Sequence, residues 1–163
     1  MSRAAKLEAC KQGKYDDALR VITAAAQDLE NRGEPLWHPA HLTSNLFSRA
    51  TDETVLTGYL GGLPVTALIL TFHDPQFWPE VAPRTSSFVH KLSVSPAYQG
   101  RGLAAQLLEY AATETRSRGI SVTRLDCPAE RPKLCTFYES LGYERVDERN
   151  VGDLPTAFYV KHL

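Results

Sequence analysis

The chain is 163 residues long, 43% hydrophobic and 23% charged, with a formal net charge of −1. This length and balance describe one domain, residues 1–163, large enough to bury a core, and exclude disordered and fibrous classes. Near-neutral charge removes the overall electrostatic footprint of a nucleic-acid binder, and no apolar run reaches the roughly 18 residues needed to cross a bilayer.

Lys6 to Cys10 reads as a short strand, followed by a helix from Tyr15 to Asn31. Asp16 and Asp17 favour the positive end of that helix. Leu19, Ile22, Ala26 and Leu29 form its apolar stripe, and Gly33 closes it. Residues 35–43 make an irregular connection containing Trp37, His38 and His41. The pair His38-x-x-His41 has no acidic or cysteine partner nearby and falls short of a metal ligand set, so no metal is expected. Trp37 and His38 are candidates to line an acceptor pocket, with ordinary packing under a loop as the alternative. A short helix is expected over Leu42–Arg49. Val55–Leu60 and Val65–Thr71 read as strands joined at Gly61-Gly62. The stretch His73–Ser87, with three prolines and Phe77-Trp78, reads as a loop.

The organising stretch follows. Phe88–Val94 reads as a strand, Ser95–Tyr98 as a linker, and Gln99-Gly100-Arg101-Gly102-Leu103-Ala104 opens a long helix that ends before Gly119. Leu103, Leu107, Leu108 and Ala111 share one face of it. The two glycines leave the backbone uncovered where free N–H groups and the positive end of the helix dipole coincide, the physical recipe for holding phosphate. Ser121–Cys127 is a further strand, and Pro132–Leu141 a helix that carries Tyr138 and stops at Gly142. Tyr143–Val146 and Ala157–Lys161 supply the last strands. The pattern is of α/β class, a mixed sheet of six to seven strands with helices on both faces. Three cysteines, Cys10, Cys127 and Cys135, without C-x-x-C spacing and after a start with no signal-peptide core, fit a reduced cytoplasmic setting.

Gly100-x-Gly102-x-x-Ala105 also fits the dinucleotide fingerprint, with Asp126 downstream for a ribose. Five residues separate Val94 from Gly100, however, where that fingerprint follows its strand directly. Only about sixty residues remain for further ~30-residue βαβ units. A glycine turn without ligand is the plainer alternative.

Val94-x-Pro96-x-Tyr98-Gln99-Gly100-Arg101-Gly102-Leu103-Ala104 resembles motif A of the GNAT superfamily of acyl-CoA N-acyltransferases, Q/R-x-x-G-x-G/A, with Gln99, Gly102 and Ala104 in the defined places. A second block, Leu125-Asp126-Cys127 and then Leu134 to Tyr143, is similar to motif B, which ends in Y-E-x-L-G-F/Y. The resemblance covers about residues 54–148. It implies a sheet splayed between the strands around Phe88–Val94 and Ser121–Cys127, with a bulge in the first of them. It also implies acetyl-CoA held as co-substrate by the amides of Gln99, Gly100, Arg101, Gly102, Leu103 and Ala104. The backbone of Leu92, Ser93 and Val94 would meet the pantetheine arm and the thioester, with the Leu92 N–H as a donor to the carbonyl.

Tyr138 occupies the place of the family's thiolate-protonating tyrosine, and its alternative is a core tyrosine with one hydrogen bond. Asp126 matches the glutamate base of the ribosomal-protein branch; His90 competes, and a water-mediated base or none stays open. Where motif B often carries an asparagine, this chain has Arg131, which with Lys133 is suited to a coenzyme A phosphate. Family placement puts the His73–Ser87 loop beside the acceptor, which makes its exposed aromatics, Trp78 among them, candidates to face the substrate, with covering of the sheet edge as the alternative. The activity implied is acetyl transfer to a primary amine of a small molecule or peptide, by direct attack. A non-catalytic acyl-CoA-binding module is the rival reading. No nucleic acid or membrane partner is expected, and the last strand leaves a homodimer open.

Overall fold

Seven strands and three α-helices alternate along the chain in the computed structural model, which describes residues 4–47 and 52–163. In order they are β1 (Ala9–Gln12), α1 (Tyr15–Asn31), β2 (Thr54–Leu60), β3 (Leu63–Thr71), β4 (Ser87–Val94), α2 (Leu103–Ser117), β5 (Val122–Pro128), α3 (Pro132–Ser140), β6 (Glu144–Val151) and β7 (Leu154–His162). The sheet runs β1-β2-β3-β4-β5-β7-β6. It is mixed, as expected: β4 and β5 are parallel, while β1–β2, β2–β3, β5–β7 and β6–β7 are antiparallel. The chain divides into two compact units, one of Met1–Leu70 with His90–Ala111, the other of Thr71–Val89 with Ala112–Leu163.

In the first unit α1 covers β2 and β3. Its buried positions, Ala18, Val21, Ile22, Ala25 and Ala26, recur at helical spacing, and all but Ala25 pack in one cluster with Val55, Ala67 and Ile69. The stripe is therefore centred on the small residues, with Leu19 only partly buried beside it. Small side chains bring the helix close to the β-branched surface of the sheet. Gly58 in β2 is required by space: a Cβ there would meet Thr66 Cγ2 at 2.7 Å and Leu7 Cδ1 at 2.8 Å. The expected helix over Leu42–Arg49 is instead a pair of single 3₁₀ turns, Pro39–His41 and Ser44–Leu46, capped by His38 and Thr43. Its last two residues lie outside the described ones. Competition from these side-chain caps explains why a longer helix does not form.

In the second unit α3 lies against β5 and β7, where Cys135 meets Cys127 and Tyr138 meets Tyr159. The registered β4–β5 pairs are Ser87↔Thr123 and Phe88↔Arg124, at the start of both strands. A buried hydroxyl chain pins them there: Thr115 donates to Ser87 at 2.8 Å and Ser87 to Thr123 at 3.0 Å. The last two strands are longer than expected and form a hairpin, Val151 pairing with Leu154 across Gly152-Asp153. The sheet edge β6 is charged and carries an irregularity between Arg145 and Asp147, both devices that discourage further pairing. Among the described residues no helix is long and apolar enough to cross a membrane.

Candidate functional site

The glycine loop is built as the sequence suggests. Gly100 and Gly102 have φ of +75° and +78°, the left-handed region that side chains other than glycine enter at a cost. The first ladder bond into α2 is Gln106 N–H to Gly102 C=O at 3.3 Å. The amides of Leu103, Ala104 and Ala105 therefore precede the ladder, at the positive end of a 15-residue helix. A Cβ on Gly102 would meet nothing within 4 Å, so the space in front of the loop is open to a ligand. Leu103, 1% exposed, anchors this end in the core.

Side chains brace the loop from outside. Gln106 accepts from Leu7 N–H at 2.8 Å and donates to Ala5 C=O at 2.6 Å, while Ala5 N–H reaches Arg101 C=O at 3.3 Å. Arg101 lies over the Tyr98 ring and donates to Ala97 C=O. Gln99 Oε1 accepts from Arg32 Nη2 at 2.8 Å. None of these ties is visible in the motif, because each joins residues far apart in sequence or uses main-chain carbonyls.

β4 carries the irregularity that the resemblance implies. Lys91 has φ of +55°, rare for a side-chain-bearing residue and the mark of a bulge. The distortion is held in place: Ser93 Oγ donates to Lys91 C=O at 2.9 Å, and buried Thr66 donates to Ser93 C=O at 2.7 Å. Ser95 N–H then bonds Val65 C=O. The Lys91 ammonium lies 4.8 Å from the centre of the Trp37 ring. Trp37 packs partly against the α1 core, whereas His38 is exposed, uses Nδ1 to cap the 3₁₀ turn, and stacks on His41. Among the described residues no group of three or more metal-ligating side chains occurs. A cavity of about 380 Å³, lined by Gly13 to Asp17, sits at the opposite end of α1 from Arg32, about 25 Å along the helix axis.

The other candidates belong to the second unit. Tyr138 is 6% exposed, edge-on to Tyr143 and tilted against Phe137 and Tyr159. Burial, with Cys127, Tyr143 and Asp126 nearby, pushes its hydroxyl far above the ordinary phenol range. It therefore stays protonated, and among the described residues its O–H has no hydrogen-bond partner. Asp126 is half-buried near the end of β5, opposite Phe158 in β7. His90, half-buried in β4, falls in the first unit. Arg131 is the N-cap of α3 without a side-chain cap bond, and Lys133 is exposed in the first turn. Trp78 is corrected: at 2% exposure it packs between Phe88 and Phe158 with Arg124 over its ring, so it belongs to the core and faces no substrate. The loop folds it inward through Trp78 N–H to Asp74 C=O and Arg84 N–H to Phe72 C=O.

The model of the acetyltransferase (GNAT) domain family matches residues 52–145, more than half of the chain. The chain is 35% identical over 71 residues to an uncharacterized N-acetyltransferase, YesJ, of Bacillus subtilis (strain 168), covering 44% of this chain and 39% of YesJ. It is 24% identical over 127 residues to the ribosomal protein bS18-alanine N-acetyltransferase of Escherichia coli (strain K12), covering 77% of this chain and 76% of that one. Among solved structures it resembles an aminoglycoside acetyltransferase, AAC(6′)-Ib, in complex with coenzyme A and kanamycin. That match has a TM-score of 0.73 at 15% identity, over 94% of this chain and 93% of the other. A likeness at that identity shows the fold.

Proposed function

From the premise that this chain belongs to the GNAT family of acetyltransferases, we propose that it transfers an acetyl group from acetyl-CoA to a primary amine of a small molecule or peptide. The observation that carries the reading is the loop before α2, with left-handed Gly100 and Gly102, open space where a Cβ on Gly102 would sit, and amides ahead of the first ladder bond. Backbone donors at a helix N-terminus suit a diphosphate, and the structural neighbour's complex with coenzyme A supports the same ligand.

Acetyl-CoA supplies the acetyl group and leaves as the thiol. In this reading Gln99 to Ala104 hold the diphosphate, with Arg131 and Lys133 adding charge. The bulge at Lys91 frees Leu92 N–H to polarise the thioester carbonyl, and Ser93 and Val94 offer main-chain groups to the pantetheine arm. Asp126 takes a proton from the incoming amine, directly or through water, with His90 as the competing base. The amine attacks the carbonyl carbon, the C–S bond breaks, and Tyr138 donates its hydrogen bond to the departing sulfur. With so weak an acid, stabilising the thiolate precedes any complete proton transfer. Trp37 and His38 line the acceptor side. The work is done by a single domain in the cytoplasm; the last strand, β7, is corrected as a dimer edge, because β5 and β6 pair with it on its two sides.

Free thiol released from acetyl-CoA over a panel of amines tests this. Amine-dependent release, lost in Tyr138→Phe and Asp126→Asn, is expected. Binding of coenzyme A without release for any amine would leave the non-catalytic module, the reading that Arg131 in place of the family's asparagine favours.

A further inference from the structure

One side chain from a distant part of the sequence touches the glycine loop and lies outside both motifs. Arg32 caps the C-terminal end of α1, and its Nη2 donates to Gln99 Oε1 at 2.8 Å. The same nitrogen is tied to the Asp28 carboxylate one turn earlier. A guanidinium has five donors on three nitrogens in a rigid fork. Both contacts here use Nη2, and among the described residues Nε and Nη1 have no acceptor. The side chain is 49% exposed beside the loop, with the Glu34 carboxylate as a second nearby charge.

We propose that Arg32 is a phosphate ligand of the acyl-CoA site. Asp28 and Gln99 fix the fork, which limits the entropy lost on binding, and the Nε/Nη1 edge takes two phosphate oxygens. The inference rests on the loop holding the diphosphate. It adds a side-chain ligand from α1 to the main-chain amides of the loop, and it gives Gln99 a second task, orienting the arginine.

Titration calorimetry with coenzyme A on Arg32→Met and Arg32→Lys tests it. Arg32→Met should weaken binding about tenfold and flatten its salt dependence, whereas Arg32→Lys, a point charge without the fork, should recover part of the loss. Coenzyme A lacking its 3′-phosphate separates two sources. A loss that persists assigns the contact to the diphosphate; one that disappears assigns it to the 3′-phosphate. Acetyl-pantetheine, which has neither group, should bind both variants like the native protein. Native coenzyme A affinity in Arg32→Met, or equal weakening toward acetyl-pantetheine, would overturn the proposal. Intact coenzyme A binding by Gly102→Glu would instead remove the loop as the phosphate site, and the arginine's role with it.

Discussion

In the proposed reading the glycine loop and the surroundings of Tyr138 offer chemistry in opposite ways. At the loop the functional groups are main-chain amides, and side chains such as Gln106 and Arg101 only brace them. Around Tyr138 the functional group is a single side-chain atom, and burial sets its protonation state. A main-chain site is therefore indifferent to most side-chain identities but intolerant of anything that fills its cradle. A side-chain site should behave in reverse, tolerating small changes of packing and failing when one oxygen is removed.

The largest expected effect breaks the loop. Gly102→Glu places a carboxylate in the open space before the amides and forces a side chain onto a φ of +78°. Coenzyme A binding should fall by about a thousandfold or more, from lost hydrogen bonds, steric filling and like charge together. Gly102→Ala keeps the strain without the charge and should bind measurably in the same calorimeter. Equal loss in both variants would mean that backbone conformation, rather than the cradle, controls the site.

Next in size is Tyr138→Phe. Its expected signature is a fall in kcat of about a hundredfold or more with the affinity for acetyl-CoA nearly unchanged. The hydroxyl has no partner among the described residues, so removing it orphans nothing and the melting temperature should hold. A large drop in melting temperature would assign the residue to packing and dissolve the contrast between the two regions. Asp126→Asn should lower kcat/KM by about tenfold or more and remove the acidic limb of its pH profile, while His90→Gln keeps that limb. The reverse pattern would move the base to β4.

The loop was legible because its constraints are local. Glycine at a left-handed φ, open amides and a helix start each depend on a few consecutive residues, and α1 and α3 likewise follow from periodicity and their end signals. What failed to show depends on distance or exposure. Tyr143–Val146 reads as a strand, but Asp147-Glu148-Arg149 beyond it is too charged to suggest that the strand continues, because an edge strand has no partner on one side and little burial to demand alternation. Trp78 sits between loop-forming residues, and only the loop's return across Phe72, far along the sequence from Arg84, carries it inward. The tie of Arg32 to the loop spans 67 residues, and those of Gln106 to Ala5 and Leu7 span 101 and 99, beyond any motif.

Gly58 and Thr66 sharpen the comparison by testing the brace rather than the cradle. Gly58→Ala sets a Cβ 2.7 Å from the methyl of a stiff, fully buried threonine, and should destabilise the fold by about 1–3 kcal/mol in chemical denaturation. Thr66→Val removes the hydrogen bond that holds Ser93 C=O beside the bulge at Lys91. Its expected cost is about 1 kcal/mol. A change in the KM for acetyl-CoA should accompany it if the bulge positions Leu92. Stability lost with KM unchanged would confine the brace to folding.

The smallest effect comes from protonation. Cys10 is half-buried in β1 opposite Gly58, and burial pushes its thiol from 9.0 up to about 11. Burial likewise raises Cys127, Tyr59 and Tyr138 above their ordinary values. In each case the folded protein keeps a proton that the unfolded chain releases sooner. The stability they contribute is complete below the unfolded pKa and declines as pH rises toward the folded one. For Cys10 the window runs from about pH 9 to about pH 11. The melting temperature of the native protein should fall across that window, and Cys10→Ala should fall slightly less steeply. The two tyrosines and Cys127 would carry the remainder, so a slope that vanished in Cys10→Ala alone would show that burial around Tyr138 does not govern its protonation. A thiol reagent at pH 8 reads the same physics without heat. Cys10 should react slowly, and the Cys127–Cys135 pair, each 4% exposed with sulfurs 3.7 Å apart, should react only on unfolding.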